Sequence, residues 1–173
     1  MTTNLPITQL TPTMTMAAQQ AAQILHDVFA PQGSWETMAE AVEEVQEMLA
    51  PERMVWVDEE VVGWIGGVPH YDGNVWELHS LVVSPAWQRQ GIGSRLVAVL
   101  EQWLKAQGGL TITLGSDDKH NQTSLASVDL YDNLWERIRT ICSLNSHPYE
   151  FYQKLGYIIT GVVGQSRTLK KQG

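Results

Sequence analysis

Residues Gln88 to Val97 read QRQGIGSRLV. Gly91 and Gly93 stand one residue apart, between an apolar run that stops at Ser84-Pro85 and a helix-like pattern. Glycine has no side chain and accepts positive φ, so the backbone there can bring N–H groups close to a ligand. The first amides of the helix that follows have no internal acceptor and lie at the positive end of its dipole. Turn and helix start together make an anion cradle suited to a phosphate or pyrophosphate. The candidate amides are those of Arg89, Gln90, Gly91, Ile92, Gly93 and Ser94, with the Ser94 hydroxyl and the Arg89 charge as additions. Two common phosphate motifs fit poorly. A P-loop needs Gly-Lys-Ser/Thr, and Ser94-Arg95 does not supply it. The dinucleotide fingerprint needs a third glycine where Leu96 stands, within a parallel β-α-β unit. A purely structural glycine turn is the plain alternative.

The elements that must hold this turn can be read along the chain. PITQL reads as a short strand, and TMTMAAQQAAQILHDVFA as a helix with Thr13 or Thr15 as its cap. Pro31 and Gly33 break it, and Ser34 is placed to cap a second helix, WETMAEAVEEVQEML. Then the period changes. The stretch from 53 to 83 is rich in valine, isoleucine and tryptophan, punctuated by DEE and DGN. It reads as three antiparallel strands, about 53–58, 61–70 and 74–83. GSRLVAVLEQWLKAQGG is a helix with a Gly-Gly stop, and LTITLGS a fifth strand. A helix near 132–143 follows, then one begun by Pro148 and ended at Gly156, then a strand, YIITGVV. The sum is one α/β domain over residues 1–173, a mixed, largely antiparallel central sheet flanked by helices.

Composition sets outer bounds. Eleven basic against nineteen acidic residues give a net charge of −8. That argues against non-specific nucleic-acid binding and would attract cationic substrates, although solubility alone accounts for it. The single cysteine, Cys142, sits in an apolar stretch and reads as a buried structural thiol, with no disulfide and no metal cluster. The N-terminus lacks signal-peptide character and no run is long enough to span a membrane, so the cytoplasm is the expected compartment.

The opening motif also carries a resemblance. Gln88 to Gly93 resembles the Q/R-x-x-G-x-G/A signature of the GNAT superfamily of N-acetyltransferases. LVVSP upstream and EFYQKLGY downstream are similar to that family's fourth strand and tyrosine-bearing last helix, and the strand order agrees from about residue 6 to 163. WELHSLVVSPAWQRQGIG, TSLASVDLY and HPYEFYQKLGY further resemble the bacterial group of aminoglycoside 6'-N-acetyltransferases. In that group the chain often continues into another long strand, where this one ends in GQSRTLKKQG. The resemblance implies acetyl-coenzyme A as acyl donor and no metal. It implies a pyrophosphate on the glycine turn, with Gln88 in the signature, and a pantetheine arm paired with the backbone of Leu81 and Val83.

Acetyl transfer to an amine needs a proton acceptor, an oxyanion donor and help for the departing thiolate, because a primary amine of pKa about 10.4 is mostly protonated at neutral pH. Glu77 precedes Leu81 by four residues, so strict alternation puts both on one face, with His79 between them. Glu77 matches the base of several GNAT enzymes, and His79 is the second candidate. A solvated strand carboxylate and a hydrogen-bonded sheet histidine are the plain alternatives. The amide of Leu81 or Val82 is the expected oxyanion donor. Tyr152 falls on the family's tyrosine and is the candidate acid, with Tyr149 one turn earlier as the other hydroxyl; a core aromatic is the plain alternative. Asp117 and Asp118, after the fifth strand, could hold ammonium groups of a polycationic substrate. The connection over 116–147 is longer than usual in the superfamily, which suits an acceptor wall or a homodimer contact. Trp35, Trp64 and Trp76 read as core. The expected function is acetyl-CoA-dependent transfer to a primary amine of a small cationic acceptor, an aminoglycoside among them, by direct attack. Protein or peptide N-acetylation, or acyl-CoA binding without turnover, are the alternatives.

Overall fold

The computed structural model describes residues 6–50, 54–58, 61–130 and 132–163. Its contacts divide the chain into two compact units, Met1–Leu114 and Gly115–Gly173.

The first unit holds a five-stranded sheet in the order β1-β2-β3-β4-β5. The strands are β1 (Ile7–Gln9), β2 (Met54–Asp58), β3 (Gly63–His70), β4 (Val75–Val83) and β5 (Thr111–Thr113). The first four pair antiparallel and β5 pairs parallel with β4, so the sheet is mixed as the sequence implies. The DGN signal does close the β3–β4 hairpin, with Asp72 at φ 56° and Gly73 at φ +81°, the left-handed backbone that a tight turn demands. Residues 59–60 of the DEE signal lie outside the described residues.

Three helices cover the sheet: α1 (Thr15–Phe29), α2 (Met38–Met48) and α3 (Ile92–Ala106). Neither expected first cap is used. At α1 the capping position is Met14, with no side-chain bond, and the Thr13 hydroxyl pairs with that of Thr11 at 3.0 Å. At α2 the cap is Thr37 rather than Ser34, because Thr37 and Glu40 form a reciprocal capping box. TMAE spells that box in the sequence.

Cross-strand partners share a face. Trp64↔Val82, Gly66↔His79 and Val68↔Glu77 therefore place Val82, His79 and Glu77 on one side. That side packs against α1 and α2 through Ala21, Leu25, Ala41, Val45 and Met48, around a fully buried Trp64 whose indole N–H donates to the Ala21 carbonyl at 3.0 Å. The other side meets α3. Leu96 lies against Gly63, Leu100 against Gly67, and the Trp76 ring meets Trp103 edge-on at 5.4 Å.

In the second unit, α4 (Leu134–Arg139) is shorter than expected and α5 (Tyr149–Lys154) follows Pro148 as expected. Because α4 ends at Arg139, Cys142 falls in irregular chain and is exposed, not buried. Its N–H and C=O are held by Ser124 Oγ and the Ser124 N–H. The expected strand over YIITGVV is absent: residues 157–163 join no ladder among the described residues, and Ile158 is 80% exposed. An apolar run becomes a strand only where a neighbour accepts its backbone. The tail from 164 lies outside the described residues.

Candidate active site

The site in the first unit is organised by one irregularity in β4. Ile65 pairs with Leu81 but Gly66 pairs with His79, so Ser80 is an extra residue, and it takes φ 56°. This is a β-bulge. It reverses the alternation beyond it. Glu77 and His79 share the α1/α2 face as expected, but Leu81 does not: its side chain turns to the α3 face with Val83. The single-face reading of Glu77 and Leu81 is therefore corrected, since the parity of a strand changes sign at every inserted residue. Gly66 sits opposite the bulge because a Cβ there would meet Met48 Cε and come within 2.6 Å of the His79 carbonyl oxygen.

The backbone of Leu81 matters more than its side chain. Ser84 N–H donates to the Val62 carbonyl at 2.7 Å. Hydrogen-bonded and open pairs alternate along an antiparallel ladder. Trp64↔Val82 is thus a bonded pair, and the N–H and C=O groups of Leu81 and Val83 point away from β3. On that far edge β5 pairs only with Val75, Trp76 and Glu77. Among the described residues no strand pairs with that edge of β4 beyond Glu77, the arrangement an added strand-like ligand needs. Of the two amides expected to serve as oxyanion donor, Leu81 has its N–H on this edge, whereas that of Val82 belongs to the ladder with β3.

Beyond β4 the chain makes a short turn over Pro85–Trp87, and α3 begins at Ile92. Two side chains expected to touch a cofactor brace this turn: Gln88 Nε2 donates to the Val83 carbonyl at 2.9 Å, and Gln90 Nε2 to the Ala86 carbonyl at 3.2 Å. Arg89 and Gly91 take φ 59° and 84°. Alternation of left-handed residues with their neighbours turns successive amides to one side. Gly91 caps α3 without any side-chain hydrogen bond, and a Cβ on it would meet nothing within 4 Å. The first intrahelical bond from this cap is Arg95 N–H to Gly91 C=O. The amides of Ile92, Gly93 and Ser94 therefore precede the first N–H that finds an acceptor inside the helix.

On the α2 face, His79 Nε2 lies 2.9 Å from Glu44 Oε1, and its Nδ1 3.6 Å from Glu77 Oε1. The hydrogen bond to Glu44, against the opposing effect of burial and with the charges of Glu44 and Glu77, raises the His79 pKa above its usual value. Sequence reading missed Glu44; its distance of 35 residues from His79 leaves no local signal.

In the second unit, burial pushes the Tyr152 phenol up to about 12, so it stays a donor across neutral pH. Tyr152 contacts the rings of Phe151 and Tyr157 edge-on at 5.1 and 5.7 Å. Burial also raises Tyr149, whose N–H donates to His147 Nδ1 at 3.2 Å. Asp118 spends both oxygens inside its loop: Oδ1 accepts the Gln122 N–H at 2.5 Å, and Oδ2 the Thr123 N–H and hydroxyl at 3.0 and 2.7 Å. Burial would raise its carboxyl, but these bonds and the nearby His147 prevail and lower it. Asp117 is exposed, and its carbonyl accepts from the buried His147 at 3.2 Å. Among the described residues no cluster of three or more His, Cys, Asp or Glu could hold a metal ion, and no helix is long and apolar enough to cross a membrane.

Residues 20–157 match the model of the acetyltransferase (GNAT) family. The chain belongs to the GNAT acetyltransferase family. It is also similar to solved aminoglycoside 6'-N-acetyltransferases. One in complex with coenzyme A is 38% identical, with a TM-score of 0.85 over 94% of this chain and 89% of that one. The enzyme from Enterococcus faecium is 37% identical, with a TM-score of 0.83 over 94% and 89% of the two chains. An aminoglycoside 6'-acetyltransferase type Ii is 33% identical, with a TM-score of 0.69 over 94% and 88%. No curated protein sequence matches significantly. The chain is thus an acyltransferase that uses acetyl-coenzyme A to acetylate an amine, with the mixed, helix-flanked sheet of the GNAT fold. The residues of the first unit fit the donor: a helix start with no side-chain cap and a left-handed turn for its diphosphate, and, for its amide-bearing arm, a stretch of β4 edge that no strand among the described residues pairs.

Proposed function

We propose that the acceptor is a small polycationic amine of the aminoglycoside type, acetylated by direct attack without a covalent enzyme intermediate. The similarity to aminoglycoside 6'-N-acetyltransferases over nearly the whole chain supports the acceptor class. The net charge of −8 favours such a cation. Direct attack is supported by the cysteine content: Cys142 is the only thiol in the chain, and it is exposed rather than held in an activating pocket.

The observation that carries the mechanism is the open edge of β4 at the bulge. When bound, the donor supplies an acyl thioester. The Leu81 N–H, which no strand among the described residues pairs, is the donor for the oxyanion that develops on the carbonyl oxygen of the acyl group; one such donor is worth roughly 3 kcal/mol. Glu77, its side chain 41% exposed on the α1/α2 face, takes the proton from the acceptor ammonium directly or through water. Tyr152, carried over from the resemblance of EFYQKLGY, gives a hydrogen bond to the departing sulfur. Gln88 shapes the turn after β4, and the amides from Arg89 to Ser94 hold the diphosphate. Asp117 is the better of the two aspartates for a substrate ammonium, because the Asp118 oxygens are occupied.

Thiol release from acetyl-CoA, measured against a panel of aminoglycosides, polyamines and N-terminal peptides, tests this. Turnover confined to aminoglycosides, with the product acetylated on an amino group, is expected. Preference for peptides would replace the acceptor assignment, and tight coenzyme A binding without turnover on any amine would reduce the protein to a binder.

A further inference from the structure

The imidazole of His79 lies between carboxylates from two different elements. Nε2 faces Glu44 Oε1 of α2 at 2.9 Å, and Nδ1 faces Glu77 Oε1 of β4 at 3.6 Å. Glu44 is itself held. Its Oε2 accepts the Trp35 indole N–H at 3.3 Å, and the Trp35 ring is fixed edge-on against Phe29 at 5.3 Å. The Glu44 side chain is 17% exposed, against 37% for His79. Beyond Glu77, His70 Nε2 lies 3.2 Å from its other oxygen. Glu44 and Glu77 are the titratable groups facing the imidazole, and His70 faces Glu77 from the end of β3.

An ionised carboxylate only accepts, and a neutral imidazole has one N–H to give. Which nitrogen keeps the proton is set by the partner of the other. Glu44, nearer and more buried, takes the N–H of Nε2, and the lone pair of Nδ1 is left facing Glu77. We propose that Glu44 is a positioning residue that fixes His79 in the Nε2–H form, so that Nδ1 receives the proton Glu77 removes from the acceptor ammonium. This rests on the reading of Glu77 as the base. The protons balance. The ammonium N–H breaks as the Glu77 O–H forms; that proton then passes to Nδ1, and Glu77 is again a carboxylate. His79 becomes an imidazolium with one N–H on each carboxylate, the form that this pair of neighbours favours, and it releases the extra proton to water at its exposed edge.

The test is ¹⁵N NMR of His79 in the full chain without substrates, from about pH 5 to 9, beside steady-state kinetics. The wild type should show Nε2 protonated and Nδ1 bare at high pH. Glu44→Ala should give mixed tautomers and lose at least about tenfold in kcat, part of the roughly 10²- to 10⁴-fold a placed proton acceptor supplies, with KM for acetyl-CoA unchanged. Glu44→Gln, nearly isosteric, keeps the proposal testable where Glu44→Ala does not fold. It should lower the His79 pKa, move the acidic limb of kcat/KM to lower pH and retain more activity than Glu44→Ala. An unchanged tautomer and titration in the Glu44 variants overturns the positioning role whatever the rates. Glu77→Gln as fast as wild type overturns the base reading, and the relay with it, even where the NMR response is as expected.

Discussion

Replacing Gly91 by asparagine and by aspartate separates charge from shape at the start of α3. Gly91 sits at φ +84° with nothing within 4 Å of the Cβ it lacks. Either side chain therefore adds backbone strain without a clash, about 1 kcal/mol for the left-handed conformation that asparagine and aspartate tolerate best. The two variants share that cost and differ by one charge. At a separation of about 6 Å, a carboxylate on residue 91 would be repelled by a diphosphate held by the neighbouring amides. Against roughly two negative charges the repulsion is about 1.4 kcal/mol at the dielectric of water, rising to about 5.5 kcal/mol at an effective value near 20. Coenzyme A should bind at least about tenfold more weakly to Gly91→Asp than to Gly91→Asn. The gap should narrow as salt rises, because the turn is at the surface. Titration calorimetry at two ionic strengths reads both quantities, and urea melts check that the variants are equally stable. Equal affinity for coenzyme A in the two variants, at low salt and equal stability, would refute the anion cradle and the placement of the acyl donor along β4.

Three more outcomes follow from the geometry. Gly66→Ala pushes a methyl group against Met48 and the His79 carbonyl, so it should cost about 1–3 kcal/mol in a urea melt and lower kcat by displacing the bulge; a neutral result would mean the bulge is not held from β3. Tyr152→Phe should reduce kcat about tenfold or more while sparing KM for acetyl-CoA, the scale of one hydrogen bond to a charged group. With the phenol at about 12, full proton transfer to a thiolate near 8.5 is uphill by about 5 kcal/mol, so a wild-type kcat limb assigned to Tyr152 ionisation below about pH 10 would contradict the hydrogen-bond role. Finally, His79 is raised in the folded state, so its contribution to stability is complete below its unfolded pKa of about 6.5 and is lost as pH climbs through the raised value. Urea melts at pH 6 and about 8.5 should show that loss in the wild type and a smaller one in Glu44→Gln; identical pH dependence would show that the pair does not shift His79.

Much of this architecture is written locally. The spacing of Val55 to Val83 and the DGN turn place three antiparallel strands within two residues of where they lie. The QRQGIG turn is read from glycine alone, because only a side-chain-free residue enters the left-handed backbone before a helix at no cost. Strand YIITGVV failed for the opposite reason: its apolar pattern is local, but a strand is completed by a neighbour, and none pairs with it among the described residues. Cys142 was misplaced because burial was assigned from the apolar stretch around it, whereas the chain past the end of α4 at Arg139 is irregular and leaves it exposed.

The site divides along the same line. Glu77, His79, Leu81 and Gly91 stand out as candidates from residue type and spacing, since acid–base groups, strand amides and glycine turns each announce a chemistry over a few residues. Their relative faces were not, because one extra residue at Ser80 inverts every side chain beyond it, and the bulge exists only through the pairing of β4 with β3. Glu44 could be found only in three dimensions: helix α2 must pack on the sheet before its carboxylate meets an imidazole 35 residues away. The sequence by itself determined which groups are available and where the backbone makes the glycine turn proposed to hold the diphosphate. The tertiary structure alone decided which of them face one another, because that depends on register and packing, which no local spacing encodes.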